Sequence, residues 1–497
     1  MNALIVIVSI TFLLLGCESS HDYDALISAP NTSQAEDFPG GDTSVSYTPF
    51  ASLQLPAANL SDELKPQFHA GKALANQPWV KAPTITTARD GLGPIYNART
   101  CLSCHIKGGK GFIPADNKTP LTSTLIRLST AVSLNAQGDQ FDRLKTSGVI
   151  PHPVYGDQIQ GQSVSLAHQL RHSQKPGSLE HDVAPEAYIY INWQEKIFTY
   201  PDQQQITLRS PELDIQSLGY GALGEDTLFS LRVAPTIHGM GLIGLIAEHD
   251  IIALTDDSDS NNNGISGRAN YVWDVEKNAT ALGRFGLKSN KPTLAMIVAG
   301  AFANDLGISN SLAPNQPCTE LQPSCLSITD GNDAEGIELP DDLLQLVINF
   351  NRDLAPPLRR NSQNKNVLAG RELFYKSGCQ QCHNPSFKTQ KSTDSPHLSE
   401  QTIWPYSDFL LHDMGSDLAD GRPDFLATGN EWRTAPLWGI GLLSQVNGST
   451  VLLHDGRART VEEAILWHGG EAESAKANFI TLAKKDRARL IKFVNSL

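Results

Sequence analysis

The chain has 497 residues, with 39 Lys and Arg against 53 Asp and Glu, which gives a formal net charge of −14. This length is sufficient for two or three domains, and a content of 40% hydrophobic and 19% charged residues excludes a wholly disordered chain. The acidic balance argues against nucleic acid as a partner, because phosphate binding requires an excess of Lys and Arg.

The N-terminus is typical of an exported lipoprotein. Ala3 to Leu15 is an apolar run that is too short to span a bilayer but suits the core of a signal peptide. The run continues into the sequence LLGC, which resembles a bacterial lipobox and places a lipid on the thiol of Cys17. We therefore predict a lipoprotein signal peptide over residues 1–17. An ordinary secretory signal with an incidental Cys is the alternative.

Residues 18–48 are predicted to form a flexible acidic linker. The segment contains no Lys or Arg and many Ser, Asp, Pro and Gly residues, a composition that cannot bury a core. With the lipid anchor, this linker predicts a protein that faces the periplasm from a bacterial membrane, with the outer membrane favoured. No other apolar run of the sequence reaches the length of a membrane span.

The chain contains two copies of the C-x-x-C-H motif, the attachment signature of c-type haem. Cysteines three residues apart on a helical turn point the same way and reach the two vinyl groups of one haem, while the adjacent histidine supplies a nitrogen to iron. Zinc and a thioredoxin-like redox pair are alternatives, but no nearby Cys/His pair and no βαβ pattern accompanies either motif. We predict two covalently bound haem c groups, held by Cys101, Cys104 and His105 and by Cys379, Cys382 and His383.

A similar phrase follows each motif. RVAPTIHGMG begins at Arg232, and RTAPLWGIG begins at Arg433. This repetition predicts two related haem modules, of which the first is expanded by insertions. We place an N-terminal haem c domain at residues 49–345 and a C-terminal haem domain at residues 346–497.

A loop rich in Asp and Asn follows the first of these phrases. Asp259, Asn261 and Asn263 place oxygen atoms at alternate positions, and Gly264 permits a tight turn, as at the start of an EF-hand loop. The twelfth position is Asn270 rather than Glu, so a complete EF-hand is not predicted. A calcium ion bound by these oxygens and an Asx-rich turn without metal both stay open.

Cys318 and Cys325 are the remaining pair of cysteines. In an oxidising compartment they are predicted to form a short-range disulfide, which would stabilise the fold by about 2–3 kcal/mol through loop closure. With Cys17 assigned to lipid and four cysteines assigned to haem, all seven cysteines are used. The mature protein should therefore contain no free thiol.

Six sequence blocks together resemble the di-haem oxidoreductase (putative peroxidase) family. They are GLGPIYNARTCLSCH (91–105), NNNGISGRANYVWD (261–274), LGRFGLKSNKPTL (282–294), PYSDFLLHDMG (405–415), EWRTAPLWGIGL (431–442) and LLHDGRARTVEEAILWHGGEA (452–472). That family is similar to bacterial dihaem cytochrome c peroxidases. The resemblance implies a mainly α-helical fold with two cytochrome-c-like haem domains, long loops and a few short strands, meeting at an interface that often holds calcium.

The resemblance also implies roles for individual residues. Peroxide cleavage needs an acid/base group near the distal oxygen. Where the peroxidases have a Glu-Met-Gly phrase, this chain has Asp305 followed by Leu-Gly, so Asp305 is the candidate catalytic residue, with a helix cap as its alternative. Candidate distal ligands are Met414 and His412 for the C-terminal haem and Met240 and His238 for the N-terminal haem.

The predicted function is that of an exported dihaem c-type cytochrome oxidoreductase. The C-terminal haem passes electrons to the N-terminal haem, which reduces hydrogen peroxide. The acidic surface favours a small electron donor such as a basic cytochrome c or a cupredoxin. Two other functions stay open: a pure electron-transfer cytochrome in which both irons are fully ligated, and an enzyme that oxidatively modifies a partner protein.

Overall fold

A computed structural model describes residues 30, 32–49, 52–82, 85, 89–131, 139–164, 183–328, 331–334 and 336–497. The predicted signal peptide, Cys17 and the first part of the predicted linker lie outside these residues. No helix within the described ranges is long and apolar enough to cross a membrane.

The prediction of a mainly α-helical fold with two cytochrome-c-like domains and a few short strands was wrong, because only 30% of the chain is helical and 19% lies in strands. The helices are α1 (Lys65–Asn76), α2 (Cys101–Cys104), α3 (Asp139–Ser147), α4 (Met240–Gly244), α5 (Glu248–Ile252), α6 (Leu294–Leu306), α7 (Pro323–Leu326), α8 (Asp341–Arg352), α9 (Lys365–Lys376), α10 (Leu443–Asn447), α11 (Val461–Trp467), α12 (Glu473–Thr481) and α13 (Lys484–Val494). The strands are β1 (Ile95–Tyr96), β2 (Thr124–Thr130), β3 (Gln162–Ser163), β4 (Tyr188–Thr199), β5 (Gln205–Gln216), β6 (Thr227–Val233), β7 (Tyr271–Asp274), β8 (Ala279–Leu282), β9 (Phe387–Lys388), β10 (Thr402–Ile403), β11 (Leu411–Asp413) and β12 (Glu431–Arg433). Short 3-10 helices lie at Gln34–Asp37, Gly41–Thr43, Ile106–Gly108, Cys379–Gln381, Pro396–Leu398, Ile440–Leu442 and Gly470–Ala472.

The long hairpin of β4 and β5 accounts for much of the difference. Its two twelve-residue strands pair antiparallel from Tyr188 opposite Gln216 to Thr199 opposite Gln205. The sequence YIYINWQEKIFT is rich in β-branched and aromatic residues, which favour strands. This local preference prevails over the expectation that came from the family resemblance.

Two pairs of packed helices share one feature, a glycine at the contact between the two helices. In the first, α1 packs against α8, and a Cβ atom at Gly71 would clash with the carbonyl oxygen of Leu346. In the second, α9 packs against α13, and a Cβ atom at Gly370 would clash with the carbonyl oxygen of Arg489. Each glycine therefore permits a close approach of two helix backbones.

We expect Gly370→Ala to destabilise the protein. The added methyl group would meet backbone rather than a flexible side chain, so α13 would have to shift, and overpacking of this kind costs about 1–3 kcal/mol. Urea denaturation should show a lower midpoint with an unchanged slope. Gly300→Ala is the matched control, because Gly300 is also helical and its nearest neighbour lies 3.8 Å from the added atom. Equal stability of the two variants would contradict the close approach at Gly370.

The division into two haem domains between residues 345 and 346 stays a prediction, although it cuts through a helix. This boundary falls within α8, which packs against α1 of the first half. The tip of the β4–β5 hairpin belongs to the first half by sequence, but Tyr200 and Leu208 are buried in the same apolar cluster as Phe374 and Phe493. The halves are therefore interlocked rather than sequential.

Residues 32–49, most of which we assigned to the flexible linker, lie against the body of the protein; we call them the N-terminal strap. The backbone N–H of Val45 donates to the carbonyl of Pro356, and the N–H of Trp404 donates to the carbonyl of Pro39. Glu36 is only 2% exposed. For these residues the structure shows packing rather than a free tether.

Candidate functional site

Both C-x-x-C-H motifs open onto one interior cavity. Helix α2 carries the first pair of cysteines, and its N-cap residue Thr100 accepts a hydrogen bond from the N–H of Ser103 (2.9 Å). The second pair begins a short 3-10 helix that follows Gly378 in the left-handed conformation (φ 86°). The motif residues that line the cavity are Cys101, Cys104, His105, Cys379, Cys382 and His383.

The two motif histidines are oriented in the same way. Nδ1 of His105 lies 2.6 Å from the carbonyl oxygen of Pro235, and Nδ1 of His383 lies 2.9 Å from that of Tyr406. Since a carbonyl can only accept, each Nδ1 carries the hydrogen and each Nε2 keeps a lone pair. Burial lowers the pKa of both imidazoles, for His383 to about 4, so both are neutral at pH 7. Such a neutral, oriented nitrogen is what an axial iron ligand requires.

The four motif cysteines form no disulfide bond among the described residues. Burial raises the pKa of Cys101, Cys104 and Cys379 to about 12, and burial also raises the pKa of Cys382. Two neutral thiols and one oriented imidazole in each half fit a haem c group.

His412 lies beside the second motif, with its Nδ1 3.7 Å from Sγ of Cys382. Its Nε2 is 2.8 Å from Asp408 and its Nδ1 is 2.6 Å from Glu471. Burial lowers the pKa of His412, but the charges and hydrogen bonds of Asp408 and Cys382 together outweigh burial, and the pKa is raised well above the ordinary value. An imidazolium that donates from both nitrogens has no lone pair for iron. Of the two residues predicted as distal ligands in this half, Met414 is the one that lines the cavity without this restriction.

Cys382, Asp408 and His412 also form a group whose ligand atoms lie within 4.8 Å of one another, a geometry compatible with a metal ion. The sulfur of Cys382 is the second thiol of its C-x-x-C-H motif. Both nitrogens of the His412 imidazole are hydrogen-bonded to carboxylates, those of Glu471 and Asp408. The group therefore belongs to the surroundings of the second motif.

His238 and Met240, the distal candidates of the first half, both line the cavity. Nε2 of His238 is 3.1 Å from the carbonyl oxygen of Trp438, so this nitrogen carries the hydrogen. Nδ1 is buried and has no hydrogen-bond partner in the described part of the chain. Burial lowers the pKa of His238 to about 4. An unpartnered neutral nitrogen of this kind is available to a metal.

The two copies of the repeated phrase meet in space between the motifs. Gly239 and Gly439 are both left-handed, with φ of 73° and 76°. A Cβ atom at Gly239 would clash with the ring of Trp438, and one at Gly439 would lie 2.9 Å from the ring of His238. Each glycine thus packs against a ring from the other copy of the phrase, so the contact is reciprocal. The ring centroids of His238 and Trp438 lie 6.4 Å apart.

Asp305 lies near the C-terminal end of α6 and lines the cavity. Gln158 donates from Nε2 to its Oδ1 at 2.9 Å. Burial raises the pKa of Asp305, and the positive charge of Arg127 opposes that rise. Since Gly307 caps this helix end with φ 70°, the alternative role of Asp305 as a helix cap does not apply.

Lys110 and Arg433 are two of the basic residues that line the cavity. Lys110 donates to the carbonyl of Leu453 (2.6 Å), and Arg433 donates from Nε to the carbonyl of Gly286 (2.8 Å). Neither forms an ion pair with any residue that the structure describes. Burial lowers their pKa values, to about 8 for Lys110 and about 10 for Arg433. Asp455 acts on Lys110 and Asp408 acts on Arg433 only at a distance, without a direct ion pair, and cations of this kind fit a ligand that carries carboxylates, as haem does.

Asp259, Asn261 and Asn263 of the predicted calcium loop are not among the residues that line the cavity, and the two asparagines are exposed. Asp259 accepts hydrogen bonds from the N–H groups of Asn263 and Gly264, and Asn261 accepts one from Asn263. Asn263 itself accepts from the N–H of Ile265. These are the bonds of an Asx-rich turn. Calcium at these oxygens stays a prediction.

Cys318 and Cys325 form a disulfide bond, with Cα atoms 5.8 Å apart. Cys325 is buried beside Ile95 and Val183. The bond closes the loop that contains α7 and lies apart from the four cysteines of the cavity.

Several residues of the site were not identified from the sequence. Arg433 opens the second repeated phrase, and Lys110 follows the first motif by five residues, so both carried a positional signal. Gln158 carried no such signal, because it lies 147 positions from Asp305 along the chain and only the fold brings the two side chains together. His454, by contrast, is marked by the sequence phrase His-Asp-Gly-Arg as a haem-propionate or interface residue; its ring stacks on that of Trp432 with centroids 3.6 Å apart, and it lines the cavity.

Comparison with known proteins gives one positive result. A family model described as "Di-haem oxidoreductase, putative peroxidase" matches residues 35–497, nearly the whole chain. No curated protein and no solved structure matches the chain.

Proposed function

The chain belongs to the family of di-haem oxidoreductases, putative peroxidases, and on this premise we propose that it is a c-type dihaem enzyme that reduces hydrogen peroxide. The observation that carries the proposal is the single cavity onto which both C-x-x-C-H motifs open, with Asp305 in its wall. Bound haem supplies one-electron redox chemistry at iron.

In this proposal each half of the chain holds one haem. The thiols of Cys101 and Cys104 and those of Cys379 and Cys382 would form thioether bonds, and Nε2 of each motif histidine would bind iron. Lys110 and Arg433 in the cavity wall would bind the propionate carboxylates of the haems. All these groups line the one cavity.

The first half is the better place for peroxide. Burial is the main cause of the raised pKa of Cys101 and Cys104, and the nearby carboxylate of Asp305 raises it further, which supports a place for Asp305 beside the first motif. Beside the second motif, by contrast, the carboxylates of Asp408 and Glu471 are held by His412. Asp305 accepts its hydrogen bond from the neutral amide of Gln158, and it is therefore the carboxylate to which we assign the proton transfer.

The chemistry then follows from that carboxylate. Hydrogen peroxide, two electrons and two protons give two molecules of water. Asp305 would accept a proton from one peroxide oxygen and return it to the other, so that the second oxygen leaves as water. Electrons would pass from the second half to the first through the reciprocal contact at His238 and Trp438.

The electron donor and the location of the protein are further parts of the proposal. A net charge of −14 favours a small basic cytochrome c or cupredoxin as donor. The lipobox-like sequence before Cys17 supports export and a lipid anchor facing the periplasm, with the outer membrane favoured.

Optical and electron paramagnetic resonance spectra of the oxidised and reduced protein test the proposal. We expect one haem to bind or react with added peroxide, and a reduced donor to be consumed at two electrons per peroxide. Peroxide pretreated with catalase is the control. If both haems stay low-spin in every redox state and peroxide changes neither spectrum, the protein is an electron-transfer cytochrome instead.

A further inference from the structure

Glu36 of the N-terminal strap is joined to the surroundings of the second motif. Its carboxylate pairs with Arg359 (2.6 Å) and with Arg371 (2.7 Å), and all three side chains are at most 2% exposed. The same carboxylate accepts a hydrogen bond from the hydroxyl of Tyr406 at 3.1 Å. Tyr406 in turn offers its backbone carbonyl to Nδ1 of His383 at 2.9 Å. Two hydrogen bonds made by Tyr406, one through its hydroxyl and one through its carbonyl, therefore link Glu36 of the strap to His383.

The backbone of Tyr406 is strained. Its φ of 54° lies in the left-handed region, which is unfavourable for a residue with a Cβ atom and a large ring. Such a conformation persists only where the surroundings enforce it. Here the ring is held edge-on between Phe374 and Phe493, with centroids 5.8 and 5.7 Å away, and its hydroxyl is held by Glu36.

We propose that Glu36 and Tyr406 are positioning residues that hold the imidazole of His383 in the orientation and hydrogen-bonded state required of an iron ligand. This inference rests on the proposed function, because it requires His383 to bind haem. A hydrogen bond from Nδ1–H to a carbonyl increases electron donation by the imidazole and so stabilises oxidised iron. The strap would thereby set the reduction potential of the second haem.

The first half provides an internal comparison. His105 also donates from Nδ1 to a carbonyl, that of Pro235. Pro235 has no side-chain donor, and its φ is not among the positive values found in the chain. Control by the strap is therefore specific to the second haem.

Three substitutions in the full-length, haem-loaded protein test the inference. Tyr406→Phe removes only the hydroxyl, and Glu36→Gln removes the charge but keeps the shape. Both should shift the midpoint potential of the second haem to more positive values and change its electron paramagnetic resonance g-values, while the first haem is unaffected. Tyr375→Phe is the matched control, because this buried tyrosine lies 5.0 Å from the Arg371 guanidinium but its hydroxyl has no hydrogen-bond partner among the described residues.

Each outcome decides between defined alternatives. A wild-type protein without a second haem would contradict the proposed function and not this inference alone. If wild type binds two haems and Tyr406→Phe behaves like Tyr375→Phe, the positioning role is refuted. This holds even if Glu36→Gln shifts the potential, because that shift would then be a through-space effect of charge. If Glu36→Gln fails to fold, Tyr406→Phe still decides.

Discussion

Replacing Cys379 and Cys382 together by serine should reduce covalently bound haem from two groups per chain to one. Each C-x-x-C-H motif would attach its own haem through thioether bonds, and serine cannot form them. The pair Cys101 and Cys104 should give the same stoichiometry with the other haem lost. The mass of the denatured chain and the haem absorbance in alkaline pyridine measure the number directly.

The disulfide provides the matched control for this result. Cys318 and Cys325 are bonded to each other and lie apart from the cavity, so changing both to serine should lower stability but leave two haems attached. Thiol titration of the unfolded, unreduced wild-type protein should detect no free thiol. Two covalent haems in either motif variant would contradict the assignment of one haem to each motif.

Replacing Asp305 by asparagine should slow peroxide reduction by about 10²–10⁴-fold, the usual contribution of a positioned acid/base group. Asparagine keeps the size of the side chain but cannot accept and return a proton. Haem content and the reduction of both haems by the donor should be unchanged, because Asp305 is not among the residues that attach haem. Steady-state turnover with peroxide and a reduced cytochrome measures the effect.

The pH dependence of this step has a defined sign. Burial raises the pKa of Asp305, and the carboxylate form is needed to accept the peroxide proton, so the rate should be highest above this raised pKa and fall as the pH drops through it. Asp305→Asn should lose this acidic limb. Asp342→Asn, at an exposed position of α8, should retain both rate and pH profile. Unchanged turnover in Asp305→Asn would remove this residue from the mechanism.

The haem motifs could be identified from the sequence because their chemistry is local. Two cysteines and a histidine within five residues share one turn of chain whatever the rest of the fold does. The repeated phrase was equally visible, and the structure shows its two copies in reciprocal contact through Gly239 and Gly439. The β4–β5 hairpin also carried a local signal in its β-branched and aromatic residues, although the family resemblance led us to expect helices.

The composition of the N-terminal strap, by contrast, pointed away from its structure. Residues 32–49 are polar and rich in Gly and Pro, which is typical of a linker. The buried carboxylate of Glu36 is one of the groups that hold this segment, and the arginines that bind it lie more than 320 positions further along the chain. The composition of a segment does not show that one of its residues, here Glu36, is buried, nor with which distant residues it pairs.

The sequence by itself thus determined which groups can react, and only the tertiary structure decided which of them are free to do so. His412 and His238 were equivalent candidates by residue type, but packing places His412 between Asp408 and Glu471, whereas Nδ1 of His238 has no hydrogen-bond partner among the described residues. Likewise, Tyr406 reaches His383 from 23 positions away. The physical reason is that covalent spacing sets contacts within one turn, whereas hydrogen-bond partners and burial depend on chain segments that meet only when the whole core is packed.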